Sequence, residues 1–191
     1  LHILLVNFKL RHIYVFSIIK LMKIKKNLVF LGMMGSGKST IGSLVAKKLK
    51  FNFIDIDREI EKKLNTTIKK IFANKGEEYF RKIEEQTTLR KLKLNSSVIS
   101  LGGGAFVNKN IRLEVIKNHL SFWLNWEPEI LLNRIKNSRK RPLTIAASND
   151  DLINLLKKRS ILYSKALYEI KCDNLSKNEI IKKILKIYEA H

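Results

Sequence analysis

The residues most plainly equipped for chemistry form one run, Gly32-Met33-Met34-Gly35-Ser36-Gly37-Lys38-Ser39, which matches G-x-x-x-x-G-K-[ST] in full. Glycines at this spacing let successive backbone N–H groups turn inward around phosphate oxygens. Lys38 would reach the outer phosphates, and the Ser39 hydroxyl would ligate Mg²⁺. A helix opening at the end of the run adds the positive end of its dipole. A chance match is expected in fewer than about one in a hundred chains of this composition. The run therefore implies nucleoside-triphosphate binding by Gly35, Ser36, Gly37, Lys38, Ser39 and Thr40.

Three further stations concern whatever would receive a phosphoryl group. In Asp55-Ile56-Asp57, an extended D-x-D points both carboxylates to one side. One could hold Mg²⁺ through water while the other faces an acceptor hydroxyl. Asp57 could equally cap the next helix, and a cap leaves one oxygen free. Phe80-Arg81 lies in a charged segment, Glu77 to Glu85, where a lone Arg is ordinarily solvated surface. Gly102-Gly103-Gly104 follows a buried apolar run and would expose backbone where parallel sheets bind ligands. A GTPase would need D-x-x-G and N-K-x-D, and neither is present.

The elements that must position these residues alternate. Strands are expected at Asn27–Leu31, Phe53–Ile56, Ser97–Leu101, Leu120–Leu124 and Tyr168–Cys172. Helices are expected at Ser39–Lys50, Asp57–Leu64, Thr67–Ala73, Glu77–Leu94, Lys109–Asn118, Pro128–Lys136, Asp151–Lys165 and Asn178–Glu189. Residues 138–149 read as a loop. Strands separated by helices imply an α/β domain, a parallel sheet with helices on both faces.

The 191 residues carry 38 Lys+Arg against 17 Asp+Glu, a formal charge of +21. That balance first suggests nucleic acid or acidic lipid. However, 29 of the 38 are Lys, and the excess of Lys with Ile and Asn is what AT-rich coding produces. The nine arginines are the cations whose positions carry information. Cys172 is the only cysteine, which excludes an internal disulfide and fits a reducing compartment. Residues 1–21 are apolar and aromatic, but Lys9 and Arg11 interrupt them, so they match neither a membrane span nor a secretory signal. Met22 is expected to be the biological start, with 1–21 upstream translation or a disordered extension and 22–191 a single domain. The rival is a genuine extension that packs on the domain.

Taken in order, G-x-x-x-x-G-K-S-T, D-x-D, G-E-x-x-F-R-x-x-E, S-L-G-G-G, R-P-L and K-R-x-x-L-Y resemble the shikimate kinase family from Lys26 to the last helix. The resemblance implies a P-loop, NMP-kinase-like fold of strand order 2-3-1-4-5 with a lid at about 138–149. It implies transfer of the ATP γ-phosphate to the 3-hydroxyl of shikimate, with Mg²⁺ accompanying ATP. By the same resemblance Asp57 binds the acceptor hydroxyls and serves as base, and Asp55 holds Mg²⁺ through water. That would supply the acid missing from the end of the third strand. Arg81 and Arg159 would clamp the shikimate carboxylate, with Glu61 orienting the clamp and Gly102, Gly103 and Gly104 forming a wall. Phe72 and Phe80 are pocket walls or plain core. Arg141 would reach the phosphates from the lid and Arg134 would lie beside adenine. The lid departs from the family's R-P-L-L in having Thr144, and Arg139 and Lys140 flank Arg141. The implied protein is a cytoplasmic monomer without nucleic-acid or membrane partners. Gluconate kinase or another small-molecule P-loop kinase is the alternative enzyme. A nucleic-acid binder and a catalytically silent regulator are the alternatives outside it.

Overall fold

The computed structural model describes residues 26–136 and 148–191. Both the N-terminal segment, with Met22, and nearly all of the expected lid, with Arg141, lie outside the described residues.

The chain runs through β1 (Leu28–Leu31), α1 (Lys38–Leu49), β2 (Asn52–Asp55), α2 (Ile56–Leu64) and α3 (Ile68–Leu92). It continues through β3 (Ser97–Ser100), a 3₁₀ turn (Ala105–Val107), α4 (Lys109–Asn118), β4 (Leu120–Asn125) and α5 (Pro128–Lys136). Beyond 147 come α6 (Asn149–Tyr163), β5 (Tyr168–Lys171) and α7 (Lys177–Glu189). The five strands form one parallel sheet in the order β2-β3-β1-β4-β5.

Alternation along the strands divides the core. Val29, Leu31, Ile99, Leu101 and Trp123 face α2, α3 and α4. Leu28, Phe30, Val98, Phe122 and Ile170 face α1 and α7. Every residue of β1 and β3 is buried, as expected of inner parallel strands covered on both sides. A third cluster packs Met33 and Met34 of the glycine-rich loop against Leu131, Leu132 and Ile135 of α5 and Leu152 and Leu156 of α6.

Most boundaries fall within a residue or two of expectation, and three differences have an identifiable physical cause. β2 stops at Asp55 and α2 starts at Ile56, so the D-x-D is not extended throughout: Asp55 ends a strand and Asp57 stands in a helix's first turn. Asp55, not Asp57, is the helix cap, its side chain accepting from the Arg58 N–H. α6 starts at Asn149, two residues earlier than expected, because Ser148 and Asp151 form a reciprocal capping box. The two helices expected at 67–94 form α3, broken at Gly76 (φ 80°, ψ 173°). Only glycine enters that conformation without strain.

Candidate active site

β1 lies between β3 and β4, and its outgoing connection runs toward β2 on one side while those of both neighbours run the opposite way. Ligands of open parallel sheets bind at the C-terminal edge beside such a reversal. The loop of residues 32–37 leaves β1 there, and α1 opens at Lys38 behind Gly37. Lys38 is buried, and its Nζ donates to the carbonyls of Gly32 and Met33 at 2.9 Å each. The ammonium is thereby folded back over the loop it serves. Ser36 is buried, and its Oγ has no hydrogen-bond partner among the described residues. A buried hydroxyl left unpaired costs free energy that a phosphate oxygen would recover.

Asp55 links the loop to the second strand. Its Oδ2 accepts from Ser39 Oγ at 2.5 Å while its Oδ1 accepts from the Arg58 N–H at 3.3 Å. In the sheet Asp55 pairs with Ser100, the last residue of β3, so this acid stands one strand over from where β3 would carry one. Among the described residues no group of three or more His, Cys, Asp or Glu could hold a metal. Mg²⁺ does not need one: it takes one or two protein oxygens and fills its shell with water and substrate phosphate. A serine hydroxyl beside a carboxylate at a phosphate loop fits that ion.

The other half of the site is built on Gly102–Gly104. A Cβ on Gly102 would lie 2.5 Å from Glu84 Oε1 and 2.7 Å from Asp57 Oδ1. Two carboxylates thus converge over bare backbone. A Cβ on Gly104 would lie 2.6 Å from a terminal nitrogen of Arg81. That guanidinium donates to Glu84 Oε2 at 2.6 Å and, through its other two nitrogens, to Glu77 Oε1 at 2.9 and 3.0 Å. Arg81 is therefore not the solvated surface residue of an ordinary charged helix. Burial pushes the Glu84 carboxyl above its usual range, against the pull of Arg81, and the neighbouring Asp57 charge adds to the push. Burial opposes the Arg81 charge, but Glu84 and Glu77 outweigh it and its pKa is raised.

Arg159, on α6, is buried, and one terminal nitrogen donates to Met33 Sδ at 3.4 Å. The same nitrogen is 3.7 Å from where a Gly103 Cβ would stand. One turn later the Tyr163 hydroxyl donates to the Gly103 carbonyl. Burial pushes the Tyr163 phenol up to about 12, which keeps that donor protonated. Phe72 and Phe80 pack together with ring centroids 4.7 Å apart, and the Arg81 guanidinium lies 5.2 Å from the Phe80 centroid. Phe80 is buried and Phe72 packs against the same core, so both serve as core beneath the arginine.

The structure thus brings Asp57, Arg81, Gly102, Gly103, Gly104 and Arg159 together beside the loop bearing Lys38 and Ser39. Arg134 stands on the loop's other flank, its Cβ 3.6 Å from where a Gly35 Cβ would be. Thr40 is exposed in the first turn of α1. Glu61 does not orient Arg81: its Oε1 accepts from the Ile68 N–H at 3.0 Å, at the start of α3. Glu84 and Glu77 hold Arg81 instead. Their spacings of three and four residues from Arg81 on one helix were the available signal. Tyr163 closes the K-R-x-x-L-Y run, but that run assigns it no role, because its contact with Gly103 joins residues 60 apart.

A phosphate loop on a sheet of this order, with an acid-and-arginine pocket beside it, defines a P-loop kinase that acts on a small molecule. The chain belongs to the shikimate kinase family, whose family model matches residues 34–189. It is 36% identical over 168 residues to the shikimate kinase of Rhizobium meliloti, covering 87% of this chain and 88% of that one. It is 39% identical over 168 residues to that of Bacillus subtilis, covering 82% and 85%. Among solved structures, the shikimate kinase of Acinetobacter baumannii in complex with shikimate superposes with a TM-score of 0.83 at 31% identity, covering 90% of this chain and 97% of that one. That of Aquifex aeolicus gives 0.76 at 35% identity, covering 85% and 96%. A deoxyadenosine kinase of M. mycoides, at 16% identity and a TM-score of 0.57, shares the fold alone.

Proposed function

We infer that this chain is a shikimate kinase that moves the γ-phosphoryl group of ATP onto the 3-hydroxyl of shikimate, giving shikimate 3-phosphate and ADP. The observation that carries the reading is the convergence of Asp57 and Glu84 over Gly102 while Arg81 rests on Gly104. That arrangement sits beside a phosphate loop and offers a carboxylate for hydroxyls and guanidinium groups for a carboxylate. Shikimate carries both kinds of group on one ring.

Arg81 and Arg159 would bind the ring carboxylate, whose planar geometry matches a guanidinium fork. Glu84 and Glu77 would hold Arg81 in its rotamer before substrate arrives. The backbone of Gly102–Gly104 would let the ring approach closely. Asp57 would orient the 3-hydroxyl for in-line attack and take its proton. Phosphoryl transfer passes through a loose transition state, so positioning and charge stabilisation carry most of the catalysis. Lys38 would leave the loop carbonyls for phosphate oxygens. Arg141, from the lid that the resemblance implies, would add a second cation. Ser39 directly and Asp55 through water would hold Mg²⁺, which would neutralise charge on the phosphates when bound. Arg134 would lie beside the adenine. No helix among the described residues is long and apolar enough to cross a membrane.

The test is ADP release from ATP with shikimate, quinate, gluconate and AMP offered one at a time. Rapid turnover with shikimate alone is expected. Turnover with gluconate or AMP but not with shikimate would overturn the assignment.

A further inference from the structure

Trp126 follows β4 directly, and its indole touches two parts of the nucleotide side of the site. Its Nε1–H donates to the Ser36 carbonyl of the phosphate loop at 3.0 Å. Its ring face carries the Arg134 guanidinium, whose Cζ lies 3.6 Å from the ring centroid. The flanking backbone is pinned: Asn125 O accepts from the Cys172 N–H at 2.8 Å, and the Glu127 N–H donates to Asp173 Oδ1 at 2.9 Å. The indole also packs against both the α1–α7 core and the cluster formed by the loop, α5 and α6. It is a rigid group at the joint between them.

Two consequences follow from covalent geometry and stacking. The Ser36–Gly37 peptide is trans, as are all those described, so the Ser36 carbonyl and the Gly37 N–H point in opposite directions. Drawing the carbonyl outward to the indole aims the Gly37 N–H inward, toward the space the loop encloses. Arg134 is otherwise exposed, and a long exposed side chain has much rotamer freedom to lose on binding. Indole is the best aromatic partner for a cation. Stacking on it fixes the guanidinium plane in advance and leaves the opposite face for a ligand. We propose that Trp126 is a positioning residue for nucleotide: it sets the Gly37 N–H toward phosphate and the Arg134 plane toward a purine ring. The proposal rests on the nucleotide site argued above.

The full chain would be compared with Trp126→Phe, which keeps a ring beneath Arg134 but lacks the N–H, and Trp126→Leu, which lacks both. Initial rates with ATP and shikimate, ADP titration by calorimetry and circular-dichroism melts are the readouts. KM for ATP should rise about fivefold in Trp126→Phe, the size of one neutral hydrogen bond. It should rise about twentyfold in Trp126→Leu, which also loses the cation–π contact. KM for shikimate should stay within about twofold in both. In an Arg134→Ala background the two substitutions should become equal, because the stacking they differ in is gone. The proposal is overturned if Trp126→Leu leaves KM for ATP near wild type, or raises KM for shikimate as much. Should Trp126→Leu fail to fold, a folded Trp126→Phe with wild-type ADP affinity overturns it alone. Failure of the wild-type chain to bind ADP would instead remove the nucleotide reading, and this proposal with it.

Discussion

Gly102 and Gly104 matter for the side chains that rest where theirs would be. Gly104→Ala would put a methyl group 2.6 Å from an Arg81 nitrogen, and the guanidinium must leave its bed. We expect KM for shikimate to rise about tenfold or more, the size of a charge-assisted hydrogen bond, with KM for ATP little changed; initial-rate kinetics would check both. Arg81→Lys should act in the same direction, since a fork becomes a point charge. Asp57→Asn keeps the shape but loses the proton acceptor. We expect kcat to fall about a hundredfold or more while calorimetry finds ADP binding intact; an unchanged kcat would remove Asp57 from the chemistry. Asp55, one strand end away, is expected to fail differently, because it ties Ser39 to the α2 cap.

The break at Gly76 lets one helical stretch carry both Phe72 and the Phe80–Arg81 pair while changing direction between them. A Cβ there would meet nothing within 4 Å, so Gly76→Ala should cost only the backbone strain, about 1–3 kcal/mol. Urea unfolding would read that loss. His119, between α4 and β4, is buried with Nε2 3.5 Å from Glu114 Oε1. Burial holds its pKa below the ordinary value, Lys26 adds to the depression, and Glu114 opposes it. The unfolded chain then binds this proton more readily, so stability should fall as pH drops through about 6.5. His119→Gln should flatten that fall in melts taken from pH 8 to 5. Elements were legible in the sequence because buried parallel strands read as unbroken apolar runs, as in Leu28–Leu31, and helices as a 3.6-residue period. Boundaries slipped where a side chain's cap decided them, at Asp55 and Ser148. The phosphate loop is contiguous and could be read as a motif. The cradle of Arg81 and the Tyr163–Gly103 contact depend on packing between distant segments, which no local pattern encodes.

At the scale of the molecule, much of the positive charge among the described residues sits at helix ends. Lys47 and Lys48, Lys62 and Lys63, Arg90 and Lys91, Lys117, and Lys186 occupy the last turns of α1, α2, α3, α4 and α7. Cations there are favoured by the helix dipole, and they are shared between both faces of the sheet, α1 and α7 covering one and α2, α3 and α4 the other. Any DNA retention at low salt should therefore be lost by physiological ionic strength, which a filter-binding salt series would show. The pocket and the loop, by contrast, meet along one seam. Met33 takes the Arg159 guanidinium on its sulfur, and the Met34 N–H stands 3.3 Å from where a Gly103 Cβ would be. The back of the nucleotide loop is thus the front of the acceptor pocket, and neither can shift without pressing on the other. Their affinities are linked, and linkage runs both ways. Whatever factor ADP imposes on shikimate binding, shikimate must impose on ADP, so either titration alone measures the stiffness of that two-methionine partition.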